Sequence, residues 1–545
     1  MIQNKPKASL FFRLMVKVSY SIVLLFFCYA CSEDKLVKDN YDEGLRAGGE
    51  NFLDDRDVDH GHVDMMNALS IDQMVVQDMM LPVDMNEDQE MLDLPWITLP
   101  EGTQVLEATP QRDGDPEEGY HHFVNSPFVS CGIPLSVFER VGDVNRFFPL
   151  VGLPSEEAYI EGRVGPNEEL PYFLTYNRTN NDVEIAATNC MSCHASVFQD
   201  QLVVGLGNTT LNTTNDVSIF ANGLGTLIND PNERDAWAYW AERMTAVAPL
   251  IRLDTKGVVA ADNMAFALFG RRDPQTLEWQ EEYQINLPDD LPTVPLAVPP
   301  LWRMDKKNAM FYSGSFRGDH SRFMFAASSL CLNDLEEMRE IDSYFNHVRA
   351  WIASLEAPAW PYDINQEKVD RGHRIFERTC SACHGTYGEE DSYPNVVIPA
   401  EEIGTDPLLL AFEHLFVEEL GPWFMLSPFT ESNYLIATGG YVAPPLNGIW
   451  ITAPYLHNDS VPTLATLLDS SKRPTYWKRT SLDSNDYNTD EIGWHYQVET
   501  QGREAGASAD VYDTSRLGYL NDGHTYGDHL SEEQRQDLIE YLKTL

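Results

Sequence analysis

Residues 372–384 read G-H-R-I-F-E-R-T-C-S-A-C-H, and their last five positions decide how the rest of the chain is understood. Cys380, Cys383 and His384 form C-x-x-C-H, the attachment motif for c-type haem. The spacing follows from the chemistry. Two thiols add to the haem vinyl groups, and the adjacent imidazole reaches the iron from the same short turn. A second copy, Cys190, Cys193 and His194 in T-N-C-M-S-C-H, lies 190 residues upstream. For a chain with 8 Cys and 14 His in 545 residues, composition alone supplies about 0.003 such motifs, so two copies are not coincidence. A zinc site would need four nitrogen or sulfur ligands at finger-like spacing. Neither motif has a second Cys/His pair nearby.

Haem is attached to this motif outside the bacterial cytoplasm, so an export signal is expected. Lys5, Lys7 and Arg13 precede an apolar run over 18–30, which is of signal-peptide length and too short to suggest a lasting transmembrane span. The run ends C-Y-A-C-S, which assigns 1–31 to a lipoprotein-type signal with Cys31 as the lipidated residue. Cys28 stands where Leu is usual, and ordinary cleavage near Ala30 is the alternative. The expected location is the periplasm or outer membrane, held by lipid only. Cys131 and Cys331 remain; a disulfide and two separate buried thiols are both open. The net charge of -47 excludes nucleic acid, whose phosphates need a basic face. It suits solubility and a basic electron-transfer partner.

Residues 32–99 read as a disordered acidic linker, with 18 acidic against 4 basic residues and a loose Asp-Met repeat. A first haem domain is expected over 100–358. Within it 231–248 and 260–269 look helical, and the stretch after His194 reads as loop or short strand. The clearest helix is 333–355, starting at Asn333 with Glu336 three residues on. Its apolar face is Leu335, Met338, Ile341, Phe345, Val348, Ile352 and Leu355. Pro358 and Pro361 mark the boundary. The second domain, 359–545, opens with a helix over 366–379 and closes with one capped by Ser531 and Gln534. The expected fold is mainly α: two cytochrome c-like haem domains with long irregular loops, behind a disordered tether.

The segment 448–464, G-I-W-I-T-A-P-Y-L-H-N-D-S-V-P-T-L, resembles the A-P-Y-x-H-x-G-S-x-x-T-L signature of bacterial di-haem cytochrome c peroxidases. K-N-A-M-F-Y-S-G-S-F-R-G-D-H, C-S-A-C-H-G-T-Y-G and N-D-G-H-T-Y-G-D-H look more like one branch of that superfamily, which includes the di-haem rubber oxygenase. The resemblance covers 120–545 and is strongest after Trp302. It implies two covalently bound haem c groups. His194 and His384 would be proximal ligands, and His524 the distal ligand of the second haem, with His529 as local competitor. Gly372 and Tyr541 would form the crossing of first and last helices of a cytochrome c fold. His457 would hydrogen-bond beside the second haem, with Asp459 where the signature has Gly. Trp302 would lie between the haems. Asp319 and His320 would supply acid–base chemistry on the first haem's distal face. Arg317 and Arg322 would stabilise developing charge or bind propionates, and Phe311 and Phe316 would line the same pocket. Family analogy allows a calcium ion between the domains, though no loop resembles an EF-hand.

The activity implied is electron transfer coupled to peroxide reduction, with a small cytochrome c or cupredoxin as donor. A dioxygen-dependent oxygenase and a non-catalytic lipid-anchored electron carrier are the alternatives. The first motif has no evident helical frame in the sequence, so the reactive haem is expected there.

Overall fold

The computed structural model describes residues 94–141, 154 and 158–545. The expected signal peptide, Cys31 and the linker up to 93 lie outside the described residues. Its longer helices, in chain order, are α1 (Pro116–Asn125), α2 (Pro231–Ile251), α3 (Ala261–Gly270), α4 (Leu335–Ala353), α5 (Gln366–Thr379), α6 (Leu408–Leu426) and α7 (Glu532–Leu542). Most begin at a side-chain cap. Asp115 accepts from the N–H groups of Glu117 and Glu118, with Pro116 at the first position of α1. Asp230 and Pro231 repeat the arrangement on α2. Asn365 caps α5. Ser531 and Gln534 close a reciprocal capping box on α7, as the sequence predicts.

Two helix crossings organise the chain. Helix α5 crosses α7 where Gly372 meets the backbone of the last helix. A Cβ on Gly372 would stand 2.0 Å from the Asp537 carbonyl oxygen and 2.9 Å from the Tyr541 Cβ. Helix α1 crosses α4 in the same manner. A Cβ on Gly119 would stand 1.9 Å from the His347 carbonyl oxygen and 2.9 Å from the Trp351 Cβ. Only glycine permits backbones this close.

Short antiparallel sheets fill the space between helices, where the sequence reading expected only a loop or short strand after His194. Strands β1 (Ile133–Pro134), β2 (Leu174–Arg178) and β3 (Glu184–Thr188) make one sheet with β3 central, Ile133 opposite Ala186 and Leu174 opposite Thr188. Strand β3 leads directly into Cys190. The hairpin β4 (Ala195–Phe198) and β5 (Gln201–Val204) follows His194 at once. Strands β6 (Phe316–Gly318) and β7 (Asn433–Leu435) pair across the chain. Strands this short carry too little alternation to register as a period of two.

Two core clusters contain residues from both sides of 358/359. Phe412, Phe416 and Trp423 of α6 share one core cluster with Phe123, Met191, Phe266, Phe316 and Phe345. Trp302, Phe198 and Leu206 join a second cluster with Phe376, Trp450, Leu538 and Tyr541. The linker also ends earlier than expected. Leu94 is buried in the second cluster, and the Ile97 N–H donates to the Arg378 carbonyl at 2.8 Å. Cys131 and Cys331 are joined by a disulfide, with Cα atoms 5.5 Å apart.

Helix α4 starts one turn position later than its sequence signal. Asp334, not Asn333, is the cap; Asn333 instead donates to the Glu337 carboxylate. Helices α1 and α6 have no counterpart in the sequence reading. In α1 the apolar residues are few; α6 is apolar on nearly all sides and carries Pro422, which hides its period.

Candidate haem-binding sites

At the second motif, α5 delivers Cys380 from its last turn, and Ser381–His384 forms a further short helix. The His384 Nδ1 donates to the Pro444 carbonyl at 2.8 Å. That bond fixes the tautomer and leaves Nε2 free to bind a metal, the usual arrangement for a ligating imidazole. Cys380 and Cys383 are unbridged, and burial pushes both thiols up to about 11. Opposite stands His524, whose ring centroid is 6.2 Å from that of His384. Burial, then His384 and Arg473, hold the His524 imidazole down at about 3, so it is neutral. Its Nδ1 is buried without a hydrogen-bond partner. His529 is exposed.

The His524 loop is pinned from two sides. Its N–H donates to the Ile403 carbonyl at 2.8 Å. The Arg473 guanidinium donates to the carbonyls of Asn521 (2.6 Å), Gly523 (2.7 Å) and His524 (3.1 Å). Arg473 was not singled out from the sequence, since a lone Arg in a loop carries no signal.

These groups line one cavity of about 1550 Å³ of empty space, mouth included. Cys380, Cys383, His384 and His524 share its wall with Ile398, Ile449, Leu538 and Leu542. Two thiols, two facing imidazoles and an apolar lining fit a covalently attached haem. His457 also lines the cavity, but its Nε2 lies 3.4 Å from the Tyr441 hydroxyl, and burial holds it at about 3. Asp459 has φ +57°, the left-handed geometry that the signature glycine would supply.

At the first motif, Met191–His194 forms the matching short helix. The His194 Nδ1 donates to the Pro299 carbonyl at 3.1 Å. Cys190 and Cys193 are unbridged, and burial raises Cys190 to about 12. Burial holds His194 at about 4. Helices α1 and α4, whose Phe123 and Phe345 share a core cluster with Met191, make a crossing like that of α5 and α7, which the sequence reading of this motif did not include. It was hidden because residues 126–189 separate α1 from Cys190, whereas α5 runs straight into Cys380. A further parallel went unread. Pro299-Pro300-Leu301 and Pro444-Pro445-Leu446 are the same tripeptide, and the first carbonyl of each orients a motif histidine. Proline's fixed φ holds that carbonyl in place.

Trp302 is buried. Its Nε1 donates to the Asn447 carbonyl at 2.9 Å, and its ring packs beside Gly205, whose N–H donates to the His194 carbonyl. Of the other distal candidates, Asp319 and Arg322 share one ion-pair network, since Arg112 pairs with both Asp319 and Asp342 and Arg322 pairs with Asp342. Asp319 caps a five-residue helix, accepting from Ser321, and pairs with Arg112 at 2.5 Å. Arg317 is buried beside Glu413 and Tyr434, and burial lowers it. Arg322 pairs with Glu431 and Asp342. His320 is 1% exposed, and among the described residues neither ring nitrogen makes a hydrogen bond of ordinary geometry, the Asn308 backbone being the group that acts on it. Burial, then Arg349 and Lys307, hold it at about 4. Phe311, Phe316 and Phe323 pack ring against ring, with centroids 4.2–6.4 Å apart.

Comparison with known proteins agrees with the second motif's surroundings. The family model described as RoxA-like, cytochrome c-like, matches residues 440–478, the stretch that holds Pro444, His457 and Arg473. An uncharacterized protein of Sinorhizobium fredii, y4iM, is 26% identical over 287 residues, covering 45% of this chain and 64% of its own length. Another from the same organism, y4iJ, is 27% identical over 258 residues, covering 35% of this chain and 41% of its own. The chain thus spans less than two thirds of either relative. Over 440–478 it is similar to a RoxA-like cytochrome c-like domain, and that similarity implies covalently bound haem c.

Proposed function

We propose that the chain is an exported di-haem c-type cytochrome oxidoreductase, holding electrons at the second motif and meeting a small oxidant at the first. The facing of His384 and His524 carries this division, because two imidazoles on opposite sides leave no coordination position there for a small molecule. Haem c supplies electron transfer where both axial positions are filled and oxidant binding where one is open. At the first motif His194 offers one ligand, set by Pro299. Phe316 and Phe323 extend the core that contains Met191 and exclude water from it. His320, beside Arg349 of α4, is neutral at pH 7 and is the residue we assign to take or hold a proton on the first haem's distal face. Asp319 is committed to Arg112 and Ser321.

Peroxide reduction, with electrons from a small cytochrome c or cupredoxin, is the first reading. A dioxygen-dependent oxygenase acting on an apolar substrate is the second. The aromatic surroundings and the match over 440–478 favour it. The disulfide between Cys131 and Cys331 supports an oxidising compartment, the periplasm or outer membrane, with lipid attachment through Cys31. Among the described residues no helix is long and apolar enough to cross a membrane.

Electronic and EPR spectra of the purified protein test the division. One low-spin centre and one that responds to peroxide, cyanide or CO are expected. Two low-spin centres inert to all three would overturn the enzyme readings in favour of a carrier. Turnover of H₂O₂ with a reduced cytochrome c, against product analysis with polyisoprene, separates peroxidase from oxygenase.

A further inference from the structure

Arg303 is a buried cation with no ion-pair partner among the described residues. It is 8% exposed and lines the cavity of the second motif. Its Nε donates to the Asn447 carbonyl at 3.0 Å and its Nη2 to the Thr452 hydroxyl at 3.3 Å, both neutral acceptors. Its Nη1 makes no hydrogen bond among the described residues, so part of its five-donor fork is unused. Lys307 sits close by, also without an ion-pair partner among the described residues, and burial with Arg303 lowers it to about 8. The cavity's own carboxyl, Asp459, makes no ion pair with either among the described residues, and burial pushes it well above its ordinary value. A guanidinium withdrawn from water without an anion is costly, and an anion brought into the cavity removes that cost.

We propose that Arg303, backed by Lys307, binds the carboxylate groups of the haem held at Cys380, Cys383 and His384, and that this contact sets where the electron rests. The inference relies on the di-haem reading above. Arg303 is tied to both motifs. Its Nε and the Trp302 Nε1 donate to one carbonyl, that of Asn447, at 3.0 and 2.9 Å. Three residues before Trp302, the Pro299 carbonyl orients His194. A single stretch, 299–307, therefore positions the first motif's imidazole, packs Trp302 beside Gly205 and places Arg303 in the cavity of the second motif, with Lys307 in electrostatic reach of Arg303. Positive charge there favours the reduced form, so it draws the electron to the second haem and away from the first.

The test is spectroelectrochemical titration of the holoprotein from pH 5 to 9, with haem content measured first. Protein lacking two covalent haems would defeat the underlying reading, independently of this inference. With both haems present, Arg303→Gln lowers the midpoint potential of the low-spin haem, steepens its pH dependence and leaves the other haem unmoved. Arg303→Lys retains most of the wild-type potential. A low-spin midpoint unchanged in Arg303→Gln, or a shift confined to the other haem, overturns the proposal. If Arg303→Gln does not accumulate as holoprotein, Lys307→Met decides. A fall of the same sign supports the proposal, and a wild-type midpoint overturns it.

Discussion

His384 and His524 present their rings to one another with centroids 6.2 Å apart and planes inclined by 56°. Two imidazoles that share one metal, each bonded at about 2 Å, stand roughly this far apart. The protein alone thus holds the gap that an iron would occupy. His524→Ala is expected to turn the second haem from low-spin to high-spin without altering the first, as read by EPR and the visible spectrum. Added imidazole should restore the low-spin signal. An unchanged spectrum would place the sixth ligand elsewhere.

The equivalence of the two crossings makes a paired prediction. Gly119→Ala and Gly372→Ala each force a Cβ to within about 2 Å of a backbone carbonyl. Neither carbonyl can retreat without separating two helices, so each variant should lose on the order of 3 kcal/mol. Thermal unfolding of the two variants would show comparable falls in midpoint. A mild effect at Gly119 alone would mean that the first crossing is the looser one.

Why one crossing was legible and the other not is a matter of chain distance. Gly372 lies eight residues before Cys380, on a helix with clear apolar spacing. Gly119 is separated from Cys190 by a sheet and loops whose strands are as short as two residues. The motif histidines, the α5 and α7 boundaries and the α7 capping box could all be read locally, because each depends on neighbours within a turn. The Pro299 and Pro444 carbonyls, the Arg473 bracket and the placement of α6 depend on contacts between distant segments, which no local pattern encodes. The partner of Asp319 is equally distant in the chain: Arg112, 207 residues earlier, engages it.

Acid should destabilise the fold through its buried histidines. His320 is held at about 4 and His457 at about 3, against 6.5 for a free imidazole. The unfolded chain therefore binds protons that the folded chain does not. The stability these residues contribute is whole above about pH 6.5 and is lost progressively as the pH falls toward 4. The expected slope is on the order of 1 kcal/mol per pH unit for each. Denaturant titrations between pH 4 and 7 should show it, and His320→Gln should flatten it. An identical slope in that variant would mean that His320 does not titrate on unfolding.

The disulfide closes a loop of 200 residues and staples the sheet before the first motif to the segment before α4. Loop closure of this size stabilises by about 2–5 kcal/mol. Cys131→Ser with Cys331→Ser should lower the unfolding midpoint by a corresponding amount while both haems remain attached. Reduction of the wild type should reproduce the loss. A double variant as stable as the wild type would assign the bridge no structural role.

Arg473 offers a test of how the distal imidazole is held. The ring of His524 is neutral and makes no ion pair, so its position depends on its backbone. That backbone has φ +44°, an unfavourable conformation for a residue with a Cβ, and persists only where the surroundings impose it. Two fasteners impose it: the Ile403 carbonyl at the His524 N–H and Arg473 across three carbonyls. Arg473 also reaches the carbonyls of Thr466 and Leu467, anchoring the loop to the short helix beside the cavity. Arg473→Met removes the bracket but leaves the cysteines and His384 untouched. The second haem should then remain covalently attached yet show a mixed low-spin and high-spin spectrum, with the high-spin fraction rising on warming as the loop detaches. A fully low-spin spectrum at all temperatures below unfolding would mean that the single bond to Ile403 is enough.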